Sequence, residues 1–482
     1  AIIGGIIGSH IGSAQLTIKG PAAGLIVIAL GSVMELGAGD PVLGYKRTLA
    51  VGVVAAVIQI ILAVVRAGGL AIVMPTSVVH GMLAAIGVII VTKQFPVMLG
   101  TKAIGKPLEG FLHITDYVSH INPEIFLLGI IAMVILIGVP KLPSVKLRKI
   151  PASLIALLLT IPLGVLFHLS AQHDYTFMNA SYHVGPEFLV QLPGNLFDAI
   201  TFPDFSVVAT GASIKYIIMF AIVGSIESLL SVLAVDAMDP EHHSSDLNKD
   251  LLATGIGNLI CAMIGGLPMI SEIVRSKANI DAGAKSSWSN FSHGLYLLLF
   301  VALIPGLLQM IPLSVLAAML VLTGLRLASP SEFKHALHMG KDQFAIFFTT
   351  FIVTLATDLL LGVAAGLVLK LILHVSRGAG IAHLIKGKAE MTRQDDAIIV
   401  SLDGPVTFTN FFSWFSQLKQ AVTDDIQRVE IDLKDVTLMD ATTQEKLYGL
   451  SNEWKNATLI VHNAEHLQHV TSHEYSFMRK AH

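Results

Sequence analysis

Two stretches interrupt the apolar runs of this chain in the same way. They are Gln15-Leu16-Thr17-Ile18-Lys19-Gly20-Pro21-Ala22-Ala23-Gly24 near its start and Gly265-Gly266-Leu267-Pro268-Met269-Ile270-Ser271-Glu272 past its middle. Glycine and proline end or restart a helix, so each stretch predicts a half-helix that begins inside the hydrocarbon layer. Two such breaks at corresponding positions of two halves mark an inverted repeat whose broken helices meet at a midplane site. A lone Gly-Pro in a membrane helix is most often only a kink; the pairing of the two breaks is what favours a site.

The rest of the chain supports a membrane setting. Of 482 residues, 53% are hydrophobic and only 13% charged, roughly half the charge of an average soluble domain. Mean hydropathy is +0.71. Apolar segments lie near 1–16, 20–36, 46–65, 74–92, 124–139, 150–169, 211–235, 249–265, 268–279, 289–309, 312–326, 342–358 and 359–376. Many reach the length of about 18 residues that spans a bilayer. The net charge of -3 comes with no basic stripe, which argues against nucleic-acid binding. The single Cys261 excludes an intrachain disulfide or a cysteine-rich metal site and reads as a packed thiol. There is no Gly-x-x-x-x-Gly-Lys-Ser/Thr motif, so direct drive by ATP hydrolysis has no support in this chain. The opening Ala1-Ile2-Ile3-Gly4-Gly5 has no basic region before it, which predicts no cleavable signal and a start cut within a hydrophobic stretch.

Orientation follows from the short loops. Lys141, Lys146, Arg148 and Lys149 crowd one connection, whereas 170–210 holds no Lys or Arg, so the first is placed inside and the second outside. Arg275, Lys277, Lys285, Arg326, Lys334, Lys341 and Arg377 then fall inside; Lys46, Arg47, Lys93 and Lys102 fall outside and count against the scheme. The membrane part is expected over 1–376, with halves 1–169 and 211–376. Residues 377–482 lack a span and alternate instead, with strands expected at 397–402, 429–433 and 458–461 and helices at 409–422 and 441–455. That is a small α/β domain on the cytoplasmic side.

At a half-helix start, free N–H groups and the positive end of the helix dipole make an anion site. The expected lining is Gly20, Pro21, Ala22 and Ala23 from the first break and Met269, Ile270 and Ser271 from the second, small residues on the first letting an oxyanion approach the backbone. Lys19 either adds cationic attraction or extends to the interface. Arg275 either meets the anion through two parallel hydrogen bonds or anchors the helix at the inner interface. Glu227 is an acid inside a span and Ser231 lies one turn on, a pair suited to Na⁺ or H⁺; a structural carboxylate is the other reading. Glu272, at the second half-helix start, would compete with an anion and is not expected to be a ligand. Glu241-His242-His243 reads as a solvated loop rather than a metal site, and His80 as hydrogen-bonded within the bundle. No catalytic residues, resident metal or cofactor are expected, apart from a possible coupling Na⁺ at Glu227 and Ser231.

With these residues in view, Gln15–Gly24, Gly224-Ser225-Ile226-Glu227-Ser228-Leu229-Leu230 and Leu267–Lys285 resemble the SulP family of inorganic anion transporters. Asp432–Thr443 resembles its STAS domain. The resemblance implies an α-helical polytopic membrane protein with a UraA-like inverted-repeat fold of core and gate domains, the first helix absent from this chain, and a STAS-like α/β tail. It also implies an elevator-type movement, a homodimer and multi-pass placement in a bacterial inner membrane. Under it, Glu227 and Ser231 match the cation-site positions of Na⁺-coupled carriers, and Arg275 the arginine near the anion site. Ala441-Thr442 replaces the serine that related domains have phosphorylated, which puts a phosphorylation switch there in doubt. Similarity to bacterial members associated with carbonic anhydrases tilts the expected cargo toward bicarbonate and suggests a carbonic anhydrase as partner. The expected function is secondary active transport of bicarbonate or sulfate coupled to Na⁺ or H⁺. The alternatives are an anion channel or exchanger, a dicarboxylate transporter on the same scaffold, or a receptor with the C-terminal domain as output.

Overall fold

The computed structural model describes residues 1–482 except 22, 70–73, 104–108, 111–112, 144–149, 193–195, 242, 358, 378–387, 424, 455–456, 470–475 and 481–482. Two short helices, α1 (Ile2–Ile6) and α2 (Gly8–Ile11), lead through an extended segment to strand β1 (Ile18–Gly20), and α3 (Ala23–Gly37) follows. The single span expected over 1–16 is therefore replaced by two turns of helix and an extended run. Glycines at 4, 5, 8 and 12 weaken helix there, and Gly12 already has extended dihedrals.

Helix starts are well signalled. For α4 (Pro41–Val64), Asp40 accepts the amides of Val42 and Leu43 at 2.9 and 3.2 Å, with Pro41 in the first turn. The chain continues through α5 (Thr76–Met98), α6 (Ile114–Ser119), α7 (Pro123–Gly138) and α8 (Ala152–Leu166). Asn122 caps α7, again with proline next. The long loop folds into a hairpin of β2 (His173–Phe177) and β3 (Ala180–Val184), with Met178 and Asn179 both at positive φ. A two-residue turn of that hand suits the strand twist, but without a glycine it leaves little trace in sequence.

The second half holds α9 (Gly211–Met238), α10 (Leu247–Ile264), β4 (Ile270–Glu272) and α11 (Ile273–Asp281). It continues with α12 (Trp288–Leu303), α13 (Pro305–Gln309), α14 (Leu313–Leu327), α15 (Pro330–His338), α16 (Lys341–Ala356) and α17 (Leu359–Ser376). Thr210 caps α9 and Asp246 caps α10. Gly265 ends α10 in the left-handed region at φ 97°, a conformation that favours glycine, and turns the chain toward β4. Among the described residues, Pro41–Val64, Thr76–Met98, Pro123–Lys141, Gly211–Asp236 and Leu313–His338 are long and apolar enough to cross a membrane.

The tail is a mixed sheet with helices: β5 (Lys388–Gln394), β6 (Ala397–Val406), α18 (Phe411–Ala421), β7 (Arg428–Met439), α19 (Ala441–Glu453), β8 (Thr458–His462), β9 (Leu467–His469) and β10 (Met478–Lys480). The order is β5-β6-β7-β10-β9, with β8 also on β7; β6, β7 and β8 run parallel. The three expected strands and two expected helices are present, and β5, β9 and β10 are additional. Phe411, Trp414 and Leu418 from α18 pack on Val400 and Ile431 of the sheet.

The chain divides into two compact units. One comprises Ala1–Met82, Phe202–Gly294 and Pro330–His482, and therefore contains both half-helix starts and the α/β tail; the other comprises Leu83–Thr201 and Leu295–Ser329. The second is organised around Ile125, Leu128 and Ala132 of α7, Ala156 of α8, and Val315 and Ala318 of α14.

Candidate anion site

The two interruptions meet. β1 and β4 pair antiparallel, with Ile18 opposite Glu272, Lys19 opposite Ser271 and Gly20 opposite Ile270. Because the strands run in opposite directions, α3 and α11 leave this small sheet from opposite ends. Their first-turn amides have no partners within their own helices, so two positive helix ends flank one crossing.

Buried side chains fix the crossing. Asn258 on α10 accepts the Met269 amide at 2.7 Å, donates to the Met269 carbonyl at 3.1 Å and donates to Gln59 at 2.9 Å. The Ser271 amide donates to Ser228 Oγ on α9 at 3.1 Å, and Ser228 shares a hydrogen bond with Thr254 at 3.2 Å. On the other strand, the amide of Ile18 donates to Ser276 at 2.9 Å and that of Lys19 to Asn290 at 3.2 Å. These amides are engaged in holding the strands, which leaves the first turns of α3 and α11 as the donors able to take a ligand.

The expected residues fall into distinct places. Gly20 ends β1, and a methyl group built on it would come within 2.6 Å of Arg275 Nη1, so the guanidinium lies against the backbone where the breaks meet. Among the described residues, exposed Arg275 makes no ion pair. Pro21 is half-buried, Ala23 starts α3, and Ala22 lies outside the described residues. Met269, Ile270 and Ser271 are all buried, so they line the crossing with backbone and leave little side chain open.

Lys19 departs from both readings given to it. It is 1% exposed, and its ammonium donates to Asp250 Oδ1 at 2.8 Å and Ser271 Oγ at 2.9 Å, so it neither reaches an interface nor stands as a free cation. Asp250 was missed in sequence because it lies 231 positions away.

Glu227 is 7% exposed, and its Oε1 has no hydrogen-bond partner. The carboxylate lies against Gly24 in the first turn of α3, where a built methyl group would collide with it. Ser231 is buried on the next turn. The hydroxyl of α9 that touches β4 is that of Ser228, one residue from Glu227 rather than four. Glu272 caps α11 by position but without a side-chain hydrogen bond.

The weaker motifs are also placed. His80 pairs with Glu332 at 2.6 Å, and His243 with Asp239 at 2.7 Å; His242 lies outside the described residues. No group of His, Cys, Asp and Glu among the described residues is arranged to hold a metal ion.

A profile described as the Sulfate permease family matches residues 1–350, and one for the STAS domain matches 388–465. The chain belongs to the sulfate permease family. Family members are transporters, so the crossing of β1 and β4 lies in a multi-pass membrane anion transporter rather than an enzyme. YvdB of Bacillus subtilis, a protein named for sulfate transport, is 26% identical over 470 residues, 95% of this chain and 84% of that one. The bicarbonate transporter BicA of Synechocystis is 25% identical over 402 residues, 83% of this chain and 68% of that one. The solved transmembrane domain of a cyanobacterial BicA superposes with TM-score 0.61 at 21% identity, covering 76% of this chain and 88% of that one. The overall structure of SLC26A9 gives TM-score 0.67 at 15% identity, covering 95% and 79%. The fold is thus the UraA-like transporter fold, with a C-terminal STAS domain.

Proposed function

We propose that this chain carries a small inorganic oxyanion of the sulfate or bicarbonate class by secondary active transport, with the anion seated between the first turns of α3 and α11. The observation that carries this reading is the antiparallel pairing of β1 with β4, which sets two helix N-termini at one crossing with Arg275 against Gly20. The names of YvdB and BicA support the cargo class.

Glu227 serves in this reading as the coupling residue, for H⁺ or Na⁺, with Ser231 on the same face. A buried carboxylate with an unpartnered oxygen is costly unless a positive partner joins it, which supports a cation travelling with the anion. Both half-helix starts lie within one compact unit, as an elevator-type movement requires. The distribution of Lys and Arg supports placing the STAS domain in the cytoplasm, and the bacterial inner-membrane setting rests on the resemblance. Homodimer formation and association with a carbonic anhydrase belong to the same reading and rest on the resemblance.

Uptake of labelled sulfate and labelled bicarbonate into proteoliposomes, under imposed Na⁺ or pH gradients, tests it. A carrier saturates and accumulates anion uphill; flux that neither saturates nor responds to a cation gradient points to a channel, and binding without flux to a receptor. Glu227→Gln should abolish the response to the driving cation, and Arg275→Ala should raise the apparent KM for the anion by about tenfold or more. Unchanged coupling or unchanged KM would remove the respective residue from the mechanism.

A further inference from the structure

Two cations, Lys19 and Arg275, stand at the crossing of β1 and β4, and of these two only Lys19 is held in an ion pair among the described residues. Lys19 is locked to Asp250, and the other Asp250 oxygen accepts the Ser13 amide at 3.1 Å, the Ser13 hydroxyl at 2.6 Å and the Ala14 amide at 2.9 Å. The lysine stem is clamped as well: a methyl group built on Gly8 would come within 2.7 Å of its Cδ. The pair is therefore preorganised and has no room to open toward a ligand.

We propose that Asp250, by cancelling Lys19, is a specificity-determining residue that sets this site for monovalent oxyanions and against divalent ones. The proposal rests on the reading of the crossing as the anion site, and it narrows the cargo class.

The charged groups around the crossing are Arg275 on α11, the Lys19–Asp250 pair joining β1 to α10, Glu227 on α9 and Glu272 at the start of α11. His293 on α12 adds an imidazole whose Nδ1 has no partner. Take both glutamates as neutralised by accompanying cations, the case most favourable to an anion. One formal positive charge then remains, that of Arg275, and a monovalent anion balances it. A divalent anion leaves one negative charge uncompensated in a low-dielectric setting, where charge imbalance is expensive. The helix ends contribute only about half a charge each, and an ionised Glu272 offsets that of α11. Without Asp250, Lys19 would supply the second positive charge that a divalent anion needs.

The test is the selectivity of the full chain, read as uptake into proteoliposomes and as thermal stabilisation in detergent, with bicarbonate, nitrate and sulfate as probes. Wild type should favour a monovalent probe over sulfate. Asp250→Asn keeps the side-chain shape and frees the Lys19 charge, and it should move the ratio toward sulfate by about tenfold. Lys19→Met combined with Asp250→Asn removes both charges and should return the wild-type ratio. A purely structural role would lower activity for all three probes together and leave the ratio alone.

Should Asp250→Asn fail to fold, Asp250→Ser removes the same negative charge while keeping a hydroxyl toward Ser13 and Ala14, and it should shift the ratio in the same direction. Wild type preferring sulfate, or a folded Asp250→Asn or Asp250→Ser with the wild-type ratio, overturns the proposal. If none of the probes binds or moves, in wild type or variants, it is the site reading that fails, and the charge assignment falls with it.

Discussion

Asn258 does for the Met269 peptide what a neighbouring strand would do, meeting both its N–H and its C=O. An alanine there leaves both groups, and the Gln59 amide oxygen, buried without partners, at about 1–3 kcal/mol for each orphaned group. Asn258→Ala should therefore melt several degrees lower in detergent and transport more slowly, because the start of α11 loses its brace; an unchanged melt would show that the crossing is held elsewhere. Gly24 makes a second residue-level case. A methyl group there runs into the Glu227 carboxylate, so Gly24→Ala should impair cation coupling more than anion binding, read as a larger loss in gradient-driven uptake than in anion-induced thermal stabilisation. Equal losses would place Glu227 away from the coupling step.

The helices show why some parts were legible and others were not. Apolar length announces α4, α7, α9 and α10, while their first turns are set by the caps Asp40, Asn122, Thr210 and Asp246, which apolar length does not mark. The Gly-Pro breaks announce α3 and α11. What binds them is not legible, because three-residue strands carry no periodicity and their register depends on groups far along the chain, Ser228 lying 43 positions from Ser271 and Asp250 lying 231 from Lys19. Spacing along α9 pairs Glu227 with Ser231 but says nothing of Ser228, whose hydroxyl accepts the Ser271 amide; a one-helix rule does not see a second chain segment approaching. Close helix approaches are equally silent. A methyl group on Gly294 of α12 would lie 2.8 Å from Gly5 Cα and 2.9 Å from the Ile2 carbonyl, backbone atoms that cannot turn aside. Gly294→Ala should thus cost about 1–3 kcal/mol by pushing α1 from α12, seen as a lower detergent melting temperature; a neutral result would mean that the two helices separate freely.

At the scale of the molecule, the STAS domain and the last apolar helix share a buried polar joint within one compact unit. Lys370 of α17 meets Asp440 Oδ2 at 3.1 Å and donates to Thr442 Oγ1 at 2.6 Å, and His374 Nε2 lies 3.6 Å from the same carboxylate. Asp440 also accepts the amides of Phe408 at 3.0 Å and Thr443 at 2.8 Å. Thr442 is 3% exposed, so a kinase could not reach it in this conformation. Burial by itself pushes the Asp440 carboxyl up, but the Lys370 ammonium, His374 and the amide donors outweigh it and hold the group below its ordinary value of 3.8. A depressed carboxyl contributes stability that is complete above its unfolded value and fades as pH falls through the lower folded value. Removing the Asp440 charge strands Lys370 in the interior, at about 3–5 kcal/mol for a broken buried pair. Asp440→Asn should then melt well below wild type from neutral pH down to about pH 4, and the gap should close at lower pH as wild-type Asp440 takes up its proton. A gap that stays constant through that acid range would mean that the ionised carboxylate does not hold the joint.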